Sequence, residues 1–206
     1  MHQTRIHSTT KLPIERKGTK YIARASSHIN NSVPVVIAVR DMLKLARTAK
    51  EVRGMIKNKA LKINGRQVED YRESIRLFNV FEAGKPYELS LLETKKFFFQ
   101  PASHKDARLC KVVSKKLLKG NTIQLNLHDG TNVLSKDKIT VNDSIYLGLD
   151  GKIKKHIPLS KDKESLVISG RYMGKTVKID SIKDGKVSIK VNGGSTSIPA
   201  SAVVVL

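Results

Sequence analysis

Three cations at helical spacing are the residues of this chain with the clearest chemical use. Lys50, Arg53 and Lys57 follow one another at intervals of three and four residues, which places them on one narrow arc of an α-helix. Within residues 48–68 the only carboxylate is Glu51. A row of cations without intervening acids suits the phosphates of a nucleic acid. A solvated helix face is the plain alternative.

The helix that carries these cations has a start signal in the sequence. Thr48 is followed three residues later by Glu51, a capping box in which each side chain satisfies a free backbone donor of the other residue. The helix is therefore expected to begin at Thr48. Ala49, Val52 and Ile56 share its apolar face and are expected to pack against a core.

A short hairpin is predicted directly after this helix. Residues 61–63 alternate like a strand, and Asn64-Gly65 is the dipeptide best suited to a type I′ turn before residues 66–68 return. Lys62 and Arg66 lie in this segment. The sequence thus predicts a basic hairpin beside a basic helix face.

The histidines and the cysteine form no metal or catalytic pattern. His128-Asp129 and His156 lack further ligands at a suitable spacing, and Asp129-Gly130 is typical of a turn. Cys110 is the only cysteine and has no partner for a disulfide or a thiolate zinc site. We therefore expect no metal, no cofactor and a reducing compartment.

Two further stretches resemble ligand-binding motifs only in part. Residues 170–175 end in Gly-Lys, but a nucleotide P-loop opens a helix, whereas Thr176 opens a strand-like run. Residues 97–99 are three phenylalanines after two lysines, and such rings can stack on unpaired bases. A buried strand whose middle ring faces away from its two neighbours is the favoured interpretation.

The overall charge calls for a polyanionic partner. The 206 residues include 39 Lys and Arg against 18 Asp and Glu, a formal charge of +21. Residues 1–66 alone hold 15 cations and 3 acids. Nucleic acid is the leading partner class. No apolar run approaches the roughly 18 residues of a membrane helix, and the N-terminus lacks the compact hydrophobic core of a signal peptide, so a soluble, cytoplasmic protein is expected.

The first 46 residues predict an arm and a helix. Residues 1–33 are polar and show little periodicity, and we expect an extended basic arm that becomes ordered against a partner. Residues 33–46 carry apolar side chains at three- and four-residue steps, with Pro34 where a first helical turn accepts proline. Arg40 is expected to lie off the buried stripe of this first helix.

The rest of the chain predicts short strands separated by turns. A turn at residues 84–86 precedes a strand at residues 87–92. A small all-β domain is expected from strands at residues 109–113, 122–127, 132–134, 139–141 and 144–149, with turns at 119–121, 129–130 and 150–151. A compact barrel is expected from strands at residues 165–168, 176–182, 187–191 and 196–198, with turns at 184–185 and 192–194.

Four stretches, in order, resemble the archaeal and eukaryotic small-subunit ribosomal protein four, the e-type family. Residues 12–18, LPIERKG, look like the Pro-Ile-x-Arg-Lys leader of the family. Residues 39–56 look like its RNA-binding module, the αL motif. Residues 120–130, GNTIQLNLHDG, look like its most specific string, and residues 167–177 resemble the KOW element of SH3-like barrels.

The resemblance also has departures with structural meaning. The RNA-binding module usually has Gly at the position of Lys59, so either Asn58 or Lys59 is expected to take the left-handed conformation that ends the helix. Lys178 occupies the position of the third KOW glycine. The leader of the family is typically longer and more basic, and its eukaryotic members carry more C-terminal sequence, so this chain looks like a compact archaeal member.

We therefore predict an α+β, multi-domain protein of four segments. These are a basic arm at residues 1–33, an αL-type RNA-binding module with a strand extension at 34–100, a β-rich central domain at 101–159 and a KOW or SH3-like barrel at 160–206. The predicted RNA-binding residues are Arg16, Lys17, Lys20, Arg24, Arg40, Arg47, Lys50, Arg53, Lys57, Lys59, Lys62, Arg66, Arg171 and Lys175.

The resemblance and the charge together imply a non-catalytic function. The chain is expected to be a structural constituent of the small ribosomal subunit in the cytoplasm, bound to ribosomal RNA and to neighbouring ribosomal proteins, without a membrane or a small-molecule substrate. Two alternatives are an RNA-modifying enzyme that carries the same RNA-binding module and a KOW-type transcription or translation factor that visits the ribosome transiently.

Overall fold

The chain forms two compact units, Met1–Lys105 and Asp106–Leu206. The computed structural model describes residues 2–102, 104, 106–118, 120, 122–191 and 194–206. Within these residues the regular structure is mostly β, and helix is confined to short segments. This β-rich character agrees with the strands that the sequence predicts, whereas the division into four segments stays a prediction.

The first unit is built on an antiparallel sheet of five strands. The strands of the whole unit are β1 (His2–Thr4), β2 (Tyr21–Ala23), β3 (Ser32–Pro34), β4 (Leu61–Ile63), β5 (Arg66–Gln67), β6 (Ser74–Arg76), β7 (Val80–Ala83), β8 (Lys85–Leu91) and β9 (Phe97–Pro101). The large sheet has the order β5-β4-β7-β8-β9, while β1 pairs with β2 and β3 pairs with β6. Leu61, Phe81 and Leu89 are fully buried in this unit.

The helical part of the first unit departs from the predicted helix over residues 33–46. Helix α1 (Val35–Ile37) continues as a π-helical turn (Ala38–Met42), and helix α2 (Ala49–Lys57) follows. The Val35 and Val36 amides donate to the carbonyls of Glu73 and Tyr71, at 3.0 and 2.9 Å. The carbonyls of residues 71 and 73 thus satisfy two free donors at the start of α1. The segment therefore begins as strand β3, and helix α1 is short.

The prediction of an extended arm is wrong. Residues 2–33 form a closed loop in which β1 pairs with β2, and the Arg5 guanidinium donates to the Thr19 carbonyl at 2.8 Å and to the Glu15 carbonyl. Leu12 is only 2% exposed, and the Phe97 amide donates to the Lys11 carbonyl at 2.8 Å. These contacts join residues that are distant in sequence, so local periodicity carries no sign of them.

The second unit contains two antiparallel sheets of five strands. Its strands are β10 (Ala107–Leu117), β11 (Ile123–Leu127), β12 (Asn132–Ser135), β13 (Ser144–Gly148), β14 (Ile153–Ile157), β15 (Glu164–Val167), β16 (Thr176–Lys183), β17 (Lys186–Val191), β18 (Gly194–Pro199) and β19 (Val203–Val205). The orders are β12-β11-β10-β13-β14 and β18-β17-β16-β15-β19. A 3₁₀ turn (Ala200–Ala202) precedes β19.

The second unit contains two apolar clusters, one on each sheet, and Ile157 of the first sheet also belongs to the second cluster. Val112, Leu125 and Ile145 belong to the first cluster, and Ile179 and Ile189 belong to the second. Most of the strands predicted in this unit form, because their alternating apolar residues face these clusters.

One strand prediction in the second unit is wrong, and two strands, β14 and β19, were not predicted. Residues 139–141 form a loop, because the Asp143 carboxylate accepts hydrogen bonds from the Thr140 amide at 2.9 Å and from its hydroxyl at 2.7 Å. Strand β14 shows no apolar and polar alternation in the sequence, because Lys154, Lys155 and His156 in its middle are all polar, and all three are exposed. The turns expected at residues 119–121 and 192–194 fall partly on positions outside the described residues.

Candidate nucleic-acid interface

Helix α2 begins where the capping box predicts. The Thr48 hydroxyl accepts the Glu51 amide at 3.2 Å and donates to the Glu51 carboxylate at 3.0 Å. That carboxylate also accepts the Arg47 amide at 2.8 Å. The hydrogen bonds from Arg47 and then Thr48 lower the pKa of Glu51. The only acid of this helix is thus held at its N-terminus, away from the cations further along.

The predicted row of cations lies on the outer face of α2. Lys50, Arg53 and Lys57 are all exposed, whereas Val52 on the opposite face is fully buried. The Arg53 guanidinium lies 4.7 Å from the centroid of the Tyr71 ring, a distance at which the ring face attracts the cation. Packing thus holds one cation of the row, and the three charges face solvent.

Helix α2 ends in a left-handed residue, and that residue is Lys59. Its φ is +56°, while Asn58 has φ −78°. The Lys59 amide donates to the Ile56 carbonyl at 2.9 Å and the Ala60 amide to the Met55 carbonyl at 3.0 Å, which is the Schellman pattern. A cation therefore occupies a backbone position that favours glycine, and its side chain is exposed.

The hairpin after α2 forms as predicted, but its cations are paired. Asn64 and Gly65 have φ of +52° and +81°, as a type I′ turn requires. Lys62 lies 3.9 Å from the Glu82 carboxylate, and Arg66 forms an ion pair with Glu73. Acids from distant positions in the sequence therefore compensate part of the charge of the hairpin.

Arg40 and Arg47 differ in how available they are. Arg40 donates two hydrogen bonds to the Asp41 carboxylate, at 3.0 and 2.9 Å, and this pairing raises its pKa. Arg47 precedes the α2 N-cap and is exposed. Arg40 is therefore a weaker candidate for phosphate contact than its position in the sequence indicates.

The predicted cations of the N-terminal segment lie on the closed loop. Arg16, Lys17 and Lys20 are exposed, and Arg24 is half-buried. The Lys20 ammonium lies 5.4 Å from the centroid of the Tyr21 ring. These residues thus belong to a folded surface of the first unit rather than to a free tail.

A groove of about 1190 Å³ brings some of these cations together. Lys17, Arg40 and Arg47 line it among the predicted residues. Arg5 and Lys44 line it as well, and sequence reasoning missed both. The position of Lys44 on the polar side of the predicted first helix could have marked it as a candidate. Arg5 reaches the groove through contacts across the loop, and no local sequence pattern shows them.

Arg171 and Lys175 lie in the second unit, on the turn between β15 and β16. Arg171 is exposed and its guanidinium lies 6.0 Å from the Tyr172 ring centroid. Lys175 is half-buried. Thr176 begins strand β16 rather than a helix, which agrees with the rejection of a P-loop.

The histidines and acids of the second unit serve its structure. Asp129 is buried and accepts the Arg108 guanidinium at 2.9 Å, while the His156 ring lies 2.8 Å from the Asp143 carboxylate. In the part of the chain that the structure describes, no three His, Cys, Asp or Glu side chains lie close enough to hold a metal ion. Across the same residues, no helix is long and apolar enough to span a membrane.

A strongly basic, β-rich protein with a cationic helix face and a cationic groove belongs to the class of proteins that bind polyanions. The profile of Ribosomal family S4e matches residues 83–153. The small ribosomal subunit protein eS4 of Methanothermobacter thermautotrophicus is 34% identical over 212 residues, covering 98% of this chain and 84% of the relative. The chain belongs to Ribosomal family S4e.

Two further proteins support this membership. The small ribosomal subunit protein eS4 of Desulfurococcus amylolyticus is 33% identical over 89% of this chain and 80% of its own length. The crystal structure of the 30S ribosomal protein S4e from Thermoplasma acidophilum has a TM-score of 0.73 at 26% identity, over 85% of this chain and 95% of that one. The similarity thus extends over both units in sequence and in fold.

Proposed function

We propose that this chain is a structural constituent of the small ribosomal subunit that binds and stabilises ribosomal RNA. The observation that carries the proposal is the exposed row of Lys50, Arg53 and Lys57 on α2, whose only acid, Glu51, is engaged by the N-cap. Membership of the family supports it, since the relatives are named as small-subunit proteins. The protein then acts in the cytoplasm, within the ribosome and beside other ribosomal proteins.

The finer architecture belongs to this proposal. Residues 34–100 act as an αL-type RNA-binding module, supported by the capped helix, its left-handed end at Lys59 and the hairpin that follows. Residues 160–206 act as a KOW or SH3-like barrel, supported by their five-stranded antiparallel sheet. The basic loop and the central β domain complete the four segments.

The chemistry is electrostatic and geometric rather than catalytic. Lys and Arg side chains contact phosphates and fix the position of the protein on the RNA, and the shape of the RNA supplies selectivity. Exposed residues without a carboxylate partner in the structure contribute most, and Lys62, Arg66 and Arg40 contribute less because Glu82, Glu73 and Asp41 share their charge. No step of this function requires a bond to form or break.

A salt titration tests the cationic row. The affinity for a ribosomal RNA fragment is expected to fall with salt, with a log–log slope of about 0.7 to 0.9 per neutralised phosphate. Lys50→Ala/Arg53→Ala/Lys57→Ala should flatten the slope by about two to three units. The matched control, Lys178→Ala/Lys183→Ala/Lys186→Ala in the second unit, removes the same exposed charge. An unchanged slope in the first variant would remove this face from the interface, whereas equal flattening in both variants would show that the row contributes no more than other exposed lysines.

Two experiments separate the proposal from the alternatives. An RNA-modifying enzyme would turn over with a transcript and S-adenosylmethionine, or would isomerise uridine, and a structural protein gives no product. A transient KOW-type factor would leave small subunits during a high-salt wash, whereas a structural constituent stays bound in stoichiometric amount.

A further inference from the structure

The groove of the first unit has a chemistry of its own, distinct from that of the exposed helix face. We propose that it binds an unpaired nucleotide of the RNA, with the base against its apolar and aromatic walls and the adjacent phosphates on its cations. The inference rests on the proposed function, in that the partner is RNA. It adds the form of RNA that this surface recognises.

The charge of the groove fits a segment of nucleic-acid backbone. Five cations and two acids line it: Arg5, Lys17, Arg40, Lys44 and Arg47, with Glu15 and Asp41. Asp41 is occupied by two hydrogen bonds from Arg40. Arg5 is likewise committed, to the carbonyls of Thr19 and Glu15. The groove therefore keeps a net positive charge, with Lys17, Lys44 and Arg47 as the groups that are suited to phosphate contact.

The remaining walls of the groove suit a base. Pro13, Ile14, Ile22 and Ile37 provide apolar surface, and the rings of Tyr21 and Tyr71 also line the cavity. Tyr21 is 48% exposed, so much of its side chain is accessible from solvent. Aromatic rings and guanidinium planes stack on bases that have left a helix. An inorganic anion would make no use of these walls.

Two guanidinium groups lie close to the Tyr71 ring. Arg53 lies 4.7 Å and Arg72 5.5 Å from its centroid. At such distances a guanidinium group is attracted to the face of an aromatic ring. Because Arg53 also belongs to the cationic row of α2, this contact links the groove wall to the helix face within the same unit.

The size and shape of the groove favour an unpaired nucleotide over a duplex. Its volume of about 1190 Å³ exceeds the usual range of ligand pockets, about 300 to 1,000 Å³, so a nucleotide and its flanking phosphates have room. A duplex keeps its bases stacked inside and presents a convex backbone, which matches an exposed helix face better than a concave site. The two surfaces therefore sort RNA by form.

Internal hydrogen bonds hold the loop that forms one side of the groove. The Arg5 guanidinium donates one hydrogen bond to the carbonyl oxygen of Thr19 at 2.8 Å and another to the Thr19 hydroxyl at 3.0 Å. Gly18 has φ +134°, and a Cβ there would lie 3.0 Å from the Arg5 guanidinium. A site that is already formed loses little conformational entropy on binding, which favours selective capture of a single nucleotide.

The test compares two RNA duplexes with blunt ends that differ by one unpaired, bulged nucleotide. At fixed salt, fluorescence anisotropy is expected to show tighter binding of the bulged duplex by the full-length protein, by about 5- to 100-fold, the range for stacking of one base. Tyr21→Leu should reduce this preference and leave binding of the fully paired duplex unchanged. Lys17→Gln/Lys44→Gln, at exposed positions, should weaken binding of the bulged duplex more than binding of the paired duplex.

Lys50→Gln/Lys57→Gln is the matched control, because it removes two exposed cations from the helix face. This variant should lower the affinity for both duplexes by the same factor. Photocrosslinking from 4-thiouridine at the bulge should label a residue of the groove wall. Thermal unfolding verifies that Tyr21→Leu is folded. If it is not, the comparison of the two double lysine variants tests the inference.

Equal affinity for the two duplexes overturns the inference and leaves the proposed function intact. The inference is also overturned, with the proposed function intact, if poly-glutamate of equal charge displaces the bulged duplex as effectively as the paired duplex displaces it. The groove would then recognise charge alone. Failure to bind either duplex would instead overturn the proposed function. The two hypotheses thus fail in different ways.

Discussion

At the residue scale, the most unusual group is the buried ammonium of Lys111. Its residue is 2% exposed, and its Nζ donates to the carbonyls of Ala200, Ser201 and Val203 at 2.7, 2.9 and 2.5 Å. Three donors meet three acceptors, so the ammonium is fully hydrogen-bonded. Removal from water nevertheless lowers the pKa of Lys111 to about 8.

This pKa makes the stability of the protein depend on pH. Between pH 8 and 10.5 the unfolded chain holds a proton that the folded chain releases, so stability rises with pH in this window. From pH 7 to 9.5 the free energy of unfolding of the wild type should rise by about 2 kcal/mol relative to Lys111→Met. Urea unfolding at both pH values measures the difference.

Lys116→Met is the control, because Lys116 lies on the same strand and is exposed. Its pH dependence should follow that of the wild type. If Lys111→Met also follows the wild type, Lys111 titrates in the folded protein as it does in water.

Gly18 and Gly54 give a second prediction, since they have opposite surroundings. Gly18 has φ +134° and faces the Arg5 guanidinium, while a Cβ at Gly54 in α2 would meet nothing within 4 Å. Gly18→Ala should lower the free energy of unfolding by about 1 to 3 kcal/mol through backbone strain. Gly54→Ala should raise it by about 0.5 to 1 kcal/mol through helix propensity. Equal effects in urea titrations would contradict the role assigned to Gly18.

At the element scale, helix α2 joins a strong start to a strained end. Thr48 and Glu51 cap its N-terminus, and Lys59 ends it at φ +56°. Left-handed backbone costs a non-glycine residue roughly 1 kcal/mol. A cation at this position therefore adds charge beside the row of α2 at the expense of stability.

Lys59→Gly should separate these two effects. The variant is expected to raise the free energy of unfolding by about 1 kcal/mol and to reduce the salt slope of RNA binding by about one unit. Lys59→Gln is the control for charge, and should reduce the slope without stabilising the protein. Lys57→Gly, inside the helix, should destabilise it by about 1 kcal/mol. Loss of stability in Lys59→Gly would contradict the strain argument.

At the scale of the whole molecule, both units are strongly basic. Residues 1–105 hold 21 Lys and Arg against 9 Asp and Glu, and residues 106–206 hold 18 against 9. Each unit also has its own buried apolar residues. The excess charge is thus spread over the chain, although the row and the groove concentrate it in the first unit.

The two units are therefore expected to fold and to bind RNA separately. Fragments 1–105 and 106–206 should each unfold cooperatively in urea when followed by circular dichroism. Each should bind an RNA fragment with an affinity that falls with salt, because counterion release needs only clustered cations. A fragment without cooperative unfolding, or with binding independent of salt, would contradict this organisation.

The sequence by itself determined the local features of this protein. The start of α2 at Thr48, the type I′ turn at Asn64-Gly65 and the row of Lys50, Arg53 and Lys57 were all predicted. Each depends on residues within a few positions of one another, where backbone geometry and capping chemistry decide the structure. The family was also identified from short ordered motifs, and the relatives confirmed it.

Only the tertiary structure decided which charges are available and where concave surface forms. The sequence predicted a free arm, but Arg5 closes it into a loop by binding Thr19, and the groove follows from that closure. Lys111 is buried by carbonyls about 90 positions further along the chain. Such contacts depend on how distant strands pack and on the desolvation that packing imposes, and neither is encoded in local spacing.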